Sequence, residues 1–306
     1  LPAGLASADV VKEISAIAMR CGGCGAKVGA TVLSRALNTL TPAPRDDVLI
    51  GLHEPDDAAV VEVPPGKVMV HTVDYFRSMI DDPYVFGKIA ANHSLGDIFA
   101  MGGDPQTALA VATVPFGIES KVEDTLTQMM SGAMEILSDT NCALVGGHTS
   151  EGPELSLGFA VNGLIDRDKI MRKGGLMPGD KLIVTKPIGT GTLFAADMRH
   201  KAKGRWIASA LDHMVMSNRL GAKCLVEYGS RAATDITGFG LLGHLVEMVR
   251  ASEVDVELVL DAVPLMDGAE DTARAGILSS LQPQNVRLRR AVANLEEAGK
   301  DPRYPL

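Results

Sequence analysis

The 306-residue chain lacks several features, each of which would define a class of protein. It has no run of 18 apolar residues, and its first 20 residues lack a charged segment followed by an apolar core and a cleavage site. Clusters of Lys and Arg are missing too, and the formal net charge of -9 argues against a nucleic-acid surface. These absences predict a cytoplasmic globular enzyme with no nucleic-acid or membrane partner.

Cysteine is also scarce, with four residues in the whole chain. So few cysteines in a chain of this length do not form a disulfide framework. We interpret Cys142 and Cys224 as small, buried apolar side chains. Cys21 and Cys24 are close in sequence, but neither a second C-x-x-C nor a nearby histidine pair completes a zinc site.

The segment from Cys21 to Gly29, Cys-Gly-Gly-Cys-Gly-Ala-Lys-Val-Gly, carries four glycines around a thiol and an ammonium group. Glycine adopts positive φ easily and lets backbone N–H groups approach an anion, so such a loop can fold over a phosphate. Lys27 supplies positive charge, and Cys24 supplies a soft nucleophile or carrier atom. Apolar residues at helical spacing over 31–40 place this loop directly before an amphipathic helix.

Strand and helix patterns alternate in both halves of the chain, which predicts an α/β or α+β fold. The predicted helices are 31–40, 84–101, 118–137, 206–220 and 221–228, and the predicted strands are 106–114, 143–145, 155–165, 181–185 and 254–260. Strands 56–63 and 68–74 are predicted to pair as an antiparallel hairpin through the turn Pro64-Pro65-Gly66. A polar connection over 166–180 is the predicted domain boundary.

Several acidic residues are predicted at the ends of these elements. The hairpin places Asp57 and Asp74 on one edge, where the two carboxylates could share a cation. Asp97 falls in the last turn of helix 84–101, where its charge opposes the helix dipole unless a metal ion compensates it. A solvated surface carboxylate is the alternative interpretation of Asp97.

The segment Gly238-Phe-Gly-Leu-Leu-Gly243 matches the G-x-G-x-x-G pattern of dinucleotide-binding proteins. That pattern requires a buried apolar strand before it, whereas the segment 230–237 is polar. We therefore predict that Asp235 lies on a tight loop above a helix N-terminus, where helix N–H groups could also contact phosphate.

The unusual polar residues taken together are Lys27, Asp57, Asp74, Asp97, His148 and Asp235. Carboxylates and phosphates repel each other, and they occupy one cleft only when divalent cations bridge them. The sequence therefore predicts a site for ATP with Mg²⁺.

The chain also resembles the selenophosphate synthetases (selenide, water dikinases), in the superfamily that includes aminoimidazole ribonucleotide synthetase. The matching segments run in family order from residue 23 to residue 244. They are Gly23-Cys-Gly-Ala-Lys27, Asp56-Asp-Ala-Ala-Val60, Thr72-Val-Asp-Tyr-Phe76, Asp82-Pro-Tyr84, Asp97-Ile-Phe-Ala-Met-Gly-Gly103, Gly146-Gly-His-Thr149, Thr185-Lys-Pro187 and Thr234-Asp-Ile-Thr-Gly-Phe-Gly-Leu-Leu-Gly-His244.

The resemblance implies a two-domain α/β (α+β) aminoimidazole ribonucleotide synthetase-like fold that forms a homodimer. Strands of both N-terminal domains would build a barrel at the interface, with ATP near it. On this basis we expect a linker or extension at 1–20, an ATP-binding and dimerisation domain at 21–165, and a C-terminal domain at 166–306. The C-terminal domain is expected to be incomplete, and the extension suggests a flavin-dependent oxidoreductase fused upstream.

The resemblance also implies roles for individual residues. Cys24 matches the family's catalytic cysteine or selenocysteine, and Lys27 matches its catalytic, ATP-contacting lysine. The family's Mg²⁺ ligands match Asp57, Asp97 and Asp235. Its ATP contacts match Lys27, Glu54, Pro55, Asp56, Asp74 and Asp97, and a contact at the nucleotide site made across the dimer matches Gly146, Gly147 and His148.

The reaction implied by the resemblance converts ATP, selenide and water into selenophosphate, AMP and orthophosphate. One alternative is another enzyme of the superfamily, a thiamine-phosphate kinase or a purine-pathway synthetase, although those enzymes do not need the loop with Cys24 and Lys27. A second alternative is a nucleotide-binding paralogue that has lost its activity, which the presence of Lys27, Asp57, Asp97 and Asp235 disfavours. Ala26 stands where some family members have a second cysteine, so a role for a cysteine pair stays open.

Overall fold

A computed structural model describes residues 28–52 and 58–305 of the chain. It divides into two compact units, each built from several chain segments. Unit 1 comprises Leu1–Glu62, Val73–Ala91 and Thr107–Ala160, to the extent that these segments are described. Unit 2 comprises Val63–Thr72, Asn92–Gln106 and Val161–Leu306, with the same proviso.

The strands all lie in the first part of the described chain. They are β1 (Val48–Ile50), β2 (Val60–Val61), β3 (Lys67–Arg77), β4 (Asp104–Pro115), β5 (Ala143–Gly152) and β6 (Ser156–Asp166). The last four form one sheet in the order β3-β6-β4-β5, and β1 pairs with β2 antiparallel. β4 and β5 are parallel neighbours, and parallel neighbours need a long crossover connection.

The helices occupy both the first and the second part of the chain. They are α1 (Ala30–Leu37), α2 (Pro83–Ala100), α3 (Glu119–Asp139), α4 (Thr190–Asp197), α5 (Gly204–Val215), α6 (Arg219–Glu227), α7 (Gly240–Ser252), α8 (Ala269–Arg274), α9 (Gln282–Asn285) and α10 (Leu295–Ala298). Helix α3 provides the crossover between β4 and β5. Among the described residues, no helix combines the length and the hydrophobicity needed to cross a bilayer.

Helix α3 packs against α2 at very short range in unit 1. Its apolar stripe, predicted from helical spacing, is buried along the whole helix at Val122, Leu126, Met129, Met130, Ala133 and Leu137. A Cβ atom added to Gly132 would lie 1.9 Å from the backbone oxygen of Tyr84, and one added to Gly87 would lie 1.9 Å from that of Met129. Glycine at these two positions therefore sets the distance between the helices.

The predicted hairpin of 56–63 with 68–74 is wrong in its pairing. β2 is two residues long and pairs with β1, whereas β3 joins the four-stranded sheet. The turn itself forms, since the Lys67 amide donates to the Pro64 carbonyl at 3.2 Å and Gly66 has φ +85°. Proline followed by a positive-φ glycine is typical of a type II turn, whose twist does not match that of a two-stranded hairpin.

The strand predicted at 143–145 is longer than expected and continues to Gly152. Gly146, Gly147 and His148 thus lie inside β5, after a register shift opposite Ala108 and Leu109 of β4. A Cβ atom added to Gly147 would lie 2.1 Å from the Ala110 carbonyl oxygen. The close approach of β4 therefore requires glycine at position 147. The strand continues through the Gly146-Gly147 pair and does not end there.

The strands predicted at 181–185 and 254–260 do not form within the described chain. Segment 181–185 has no regular structure, and segment 254–260 runs into a short 3₁₀ turn at Leu260–Ala262. An apolar, β-branched segment becomes a strand only when a neighbouring strand satisfies its backbone groups. Beyond β6 the described pairing consists of single bridges, Arg172 to Ala232 and Ile188 to Leu265.

The two cysteines predicted to be buried differ in the structure. Cys142 is fully buried, as predicted, and burial raises the pKa of its thiol to about 12. Cys224 is exposed on α6, so that prediction was wrong. Helix α6 buries Ala222, and Cys224 lies on a different face of the helix.

Candidate active site

Half of the predicted site residues lie outside the described residues. These are Cys24, Lys27, Glu54, Pro55, Asp56 and Asp57. Their predicted roles, including the third Mg²⁺ ligand at Asp57, stay predictions. The remaining residues fall into two groups, Asp97 and Asp235 in unit 2 and Asp74 with Gly146, Gly147 and His148 in unit 1.

Asp97 lies in the last turn of α2, as predicted. Its backbone carbonyl accepts a hydrogen bond from the Met101 amide at 3.0 Å, next to the Gly102-Gly103 stop of the helix. Its side chain is half-buried and accepts a hydrogen bond from Thr72 Oγ1 on β3 at 2.5 Å. The hydrogen bond from Thr72 fixes one carboxylate oxygen and so orients the Asp97 side chain. At the C-terminal end of α2, the helix dipole does not stabilise this negative charge.

Asp235 lies on the predicted loop before α7 and is also half-buried. Burial raises the pKa of Asp235, and the negative charge of Asp97 raises it further. A positive charge on His244 or His93 acts in the opposite direction and lowers the pKa of this carboxyl group. The two carboxylates are thus close enough to repel each other, although they are separated by more than 130 positions in the chain.

The loop that carries Asp235 is attached to α7 through a buried histidine. The backbone N–H of Thr237 donates to His244 Nε2 at 3.1 Å, and the Thr237 hydroxyl lies 3.2 Å from the same nitrogen. Residues 233–237 form no strand, and α7 begins at Gly240. This confirms the prediction of a loop above a helix N-terminus in place of a dinucleotide-binding strand.

The donor set of this cluster fits a hard divalent cation. Mg²⁺ binds oxygen ligands and commonly uses one or two carboxylates together with substrate phosphates. Asp97 and Asp235 supply two carboxylates that repel each other without a cation. Within residues 28–52 and 58–305, no group of three or more His, Cys, Asp or Glu residues could hold a metal ion. A cation bound here therefore needs further oxygen ligands.

The unit 1 residues occupy two strands of the sheet. Asp74 was predicted at the end of its strand, but β3 continues to Arg77, so Asp74 is an internal, half-buried residue. His148 is exposed on β5 and pairs with Val111 of β4 in the parallel register. The backbone around Gly146 and Gly147 is partly open to solvent on the same strand.

Three residues of the unit 2 cluster, Thr72, His93 and His244, were not predicted from the sequence. Thr72 lies two residues before Asp74 on β3. Residue spacing does not predict which residue of β3 contacts α2. His93 precedes Asp97 by four residues, which places both on one face of α2. His244 directly follows Gly243 and is buried. A histidine among the apolar residues of the helix is the sequence feature that could have pointed to this residue.

Family comparisons match both halves of the chain. The model for the N-terminal domain of AIR synthase related proteins matches residues 55–165, and the model for their C-terminal domain matches residues 177–283. Among solved structures, the thiamine-monophosphate kinase of Stenotrophomonas maltophilia K279a has a TM-score of 0.64 at 23% identity and covers 81% of this chain and 80% of its own. Fold and site thus define an AIR synthase-related protein.

Sequence similarity identifies the branch of this class. The selenide, water dikinase of Nitratidesulfovibrio vulgaris is 39% identical over 269 residues, which cover 85% of this chain and 74% of the relative. The chain therefore belongs to the selenide, water dikinase family. Hydrogenase maturation protein HypE in complex with ATP is a more distant match, with a TM-score of 0.59, 19% identity and coverage of 71% of this chain and 65% of its own.

Proposed function

We propose that the protein is a cytoplasmic enzyme that makes selenophosphate and orthophosphate from ATP, selenide and water and releases AMP. The observation that carries this proposal is the 39% identity to a selenide, water dikinase over most of both chains. The solved structures under 25% identity support the fold alone, so they do not favour thiamine phosphate or another substrate.

Asp97 and Asp235 are the described residues that we propose as Mg²⁺ ligands, with Asp57 as the third. Bound Mg²⁺ supplies positive charge that offsets the repulsion between the carboxylates and the nucleotide phosphates. The hydrogen bond from Thr72 keeps one oxygen of Asp97 oriented before any ligand arrives. Such preorganisation lowers the reorganisation needed when charge develops on a transferred phosphoryl group.

The glycine-rich loop and the segment 54–56 complete the proposed nucleotide site. Lys27 neutralises charge on the transferred phosphoryl group, and Glu54, Pro55, Asp56 and Asp74 contact ATP. The proposed role of the Cys24 thiol, three positions before Lys27 in the sequence, is to carry or shield a soft selenium species as a thiolate. These roles rest on the family resemblance of the sequence positions.

We also propose a homodimer formed through the exposed face of the four-stranded sheet. Val73, Tyr75 and Leu109 are exposed apolar side chains on β3 and β4. The Tyr75 hydroxyl lies 2.7 Å from Thr113 Oγ1, so alternate residues of both strands share this face. An apolar row of this kind favours burial against a second copy, where His148 of β5 can reach the partner.

The family matches to 55–165 and 177–283 support the domain boundaries proposed from the sequence. The N-terminal domain would end near residue 165 and the C-terminal domain would begin at 166. Phosphate-binding and dimerisation functions are assigned to the N-terminal domain, and the C-terminal domain contributes Asp235.

The reaction can be tested with the full chain in an anaerobic assay. With ATP, Mg²⁺ and selenide, phosphorus NMR should detect selenophosphate, orthophosphate and AMP in equal amounts. A reaction without selenide is the matched control, and Cys24→Ser should lose the selenide-dependent product. ADP as the final nucleotide, or turnover only with thiamine monophosphate, would contradict the proposal and support a kinase of the same class.

The role of the carboxylates can be tested separately by calorimetry of Mg²⁺-dependent ATP binding. Asp97→Asn and Asp235→Asn should each weaken binding about 10-fold to 100-fold, because each removes a charged ligand. Asp212→Asn, which changes an exposed carboxylate on α5, is the control for net charge and should bind like the parent. Equal affinity for all three variants would contradict the assigned metal site.

A further inference from the structure

The three glycines of the G-x-G-x-x-G segment have a packing explanation. Gly240 has φ +69°, which favours glycine at the start of α7. A Cβ atom on Gly243 would lie 2.6 Å from Phe239 Cβ, and one on Gly238 would lie 2.8 Å from Leu281 Cδ1. Gly240 and Gly243 thus allow the tight turn at Phe239 into α7, whereas Gly238 makes room for Leu281 before α9. The residue that follows Gly243 on α7 is His244.

The His244 ring is 5% exposed, and its polar contacts with described residues are both made by Nε2. A backbone amide can only donate, so the bond from Thr237 requires a lone pair on Nε2 and places the ring proton on Nδ1. Nδ1 is buried and has no hydrogen-bond partner among the described residues. The Phe239 ring, with its centroid 5.8 Å away, covers the imidazole from the loop side.

A buried N–H group without a partner is unfavourable, and an apolar side chain of similar size would avoid it. The hydrogen bond accepted by Nε2 therefore explains why residue 244 is a histidine and not an apolar residue. That atom holds the amide of Thr237, two residues after Asp235, and so fixes the short loop between the carboxylate and the helix.

We propose that His244 is a positioning residue for Asp235: its Nε2 accepts the Thr237 N–H and thereby holds the loop that carries the carboxylate. The consequence for Mg²⁺ and ATP rests on the proposed function, whereas the loop-holding role does not. His244 itself touches neither substrate nor metal in this assignment.

Hydrogen exchange measured by mass spectrometry on the full chain tests the loop-holding role directly. In His244→Leu, exchange in a peptide spanning 231–240 should accelerate about tenfold, because the Thr237 amide loses its acceptor. A peptide spanning 245–252 of α7 should be unchanged. His244→Gln places a side-chain oxygen near the former Nε2 position and should restore slow exchange to within about threefold of the parent.

Each outcome of that measurement decides the proposal. Unchanged exchange at 231–240 in His244→Leu would overturn it. If exchange accelerates in both peptides of His244→Leu, the exchange of peptide 231–240 in His244→Gln decides. Slow exchange there supports the acceptor role, and exchange as fast as in His244→Leu overturns it. Met248→Leu, a conservative change at another buried position of α7, controls for general loosening of the helix.

Calorimetry of ATP binding over a range of Mg²⁺ concentrations tests the link to the site. His244→Leu should need about tenfold more Mg²⁺ for half-maximal binding, and His244→Gln should stay within about threefold of the parent. If the parent protein does not bind ATP with Mg²⁺, the proposed function fails while the exchange result still stands. If the parent binds and the Leu variant binds equally well, the positioning role fails alone.

Discussion

The part of the chain before Asp166 and the part after it treat apolar side chains differently. In the first part, Phe86 of α2 and Phe159 of β6 lie in unit 1 and are fully buried. In the second part, Leu193, Trp206, Ala210, Met266 and Ala269 form a small cluster. Large apolar residues lie on the surface of both parts, at Leu49 and Val73 in the first and at Ile183 (72% exposed) and Tyr228 (91% exposed) in the second.

The comparison shows what a sheet contributes beyond its own hydrogen bonds. A sheet gives the helices a broad apolar face, and its central strands β6 and β4 are each fixed by two neighbours. The segment 181–185 has the composition of a strand but pairs with no strand in the described part of the chain, so sheet formation does not bury its apolar side chains. We therefore expect the first part to hold most of the stability of the described chain. Four predictions can sharpen or break this comparison.

Thiol reactivity should differ strongly between Cys142 in the first part and Cys224 in the second. Cys142 is fully buried and has a thiol pKa of about 12, so its thiolate fraction at pH 8 is 10^(8−12), about 10⁻⁴. Cys224 is exposed. Peptide-resolved mass spectrometry after treatment with iodoacetamide at pH 8 should show rapid labelling of Cys224 and labelling of Cys142 only in urea. Similar rates at both positions in native protein would show that the first part opens readily.

The contact between α2 and α3 should be the most sensitive point for adding volume. Gly132→Ala places a methyl group 1.9 Å from the Tyr84 carbonyl oxygen and should cost about 3 kcal/mol or more of unfolding free energy. Gly96→Ala is the matched control, since nothing lies within 4 Å of its added Cβ atom. It should stabilise α2 by about 0.5–1 kcal/mol. Urea unfolding followed by circular dichroism measures both, and equal values would refute the close contact.

Two fully buried leucines, one in each part, allow a matched test of packing. Leu157→Ala on the central strand β6 should cost about 4–5 kcal/mol, because the sheet cannot collapse into the cavity. Leu193→Ala on the two-turn helix α4 should cost about 2–3 kcal/mol, since its small cluster can relax. Unfolding free energies from urea titrations compare them. A larger cost for the Leu193 variant would reverse the proposed distribution of stability.

The smallest effect is expected in the segment without strand pairing. Ile183→Ser should change the unfolding free energy by less than about 0.5 kcal/mol, because the side chain is already exposed to solvent. Ile165→Ser on β6, where the side chain is buried, should cost about 3 kcal/mol or more. Thermal unfolding of the two variants provides the measurement. A large loss for Ile183→Ser would mean that a further strand or a partner covers this segment.

Sequence reasoning worked where the signal is local. The apolar stripe of α3 and the stop of α2 at Gly102-Gly103 follow from spacing and glycine, and both are confirmed. The errors concern pairing. The turn at Pro64-Pro65-Gly66 forms without joining a hairpin, and the glycines at 146 and 147 lie within a strand because β4 approaches closely. Such facts depend on which segments become neighbours, and spacing does not encode that.

The candidate site shows the same division. Asp97 and Asp235 could be selected from sequence, since each is an acidic residue at a helix end or in a glycine-rich loop. Their mutual repulsion, the hydrogen bond from Thr72 and the attachment of the loop to His244 required the fold. His244 in particular follows a G-x-G-x-x-G segment, a pattern that is typical of dinucleotide-binding proteins.

The sequence by itself determined the family, through motifs that resemble it, and the positions of the long helices α2 and α3, because periodicity and glycine placement are properties of short segments. It also predicts the residues that bind Mg²⁺ and ATP. Only the tertiary structure decided which strands pair, which apolar segments remain uncovered and which carboxylates become neighbours. The reason is physical: burial and electrostatic repulsion depend on distance in space, and residues far apart in the chain acquire that distance only when the fold is complete.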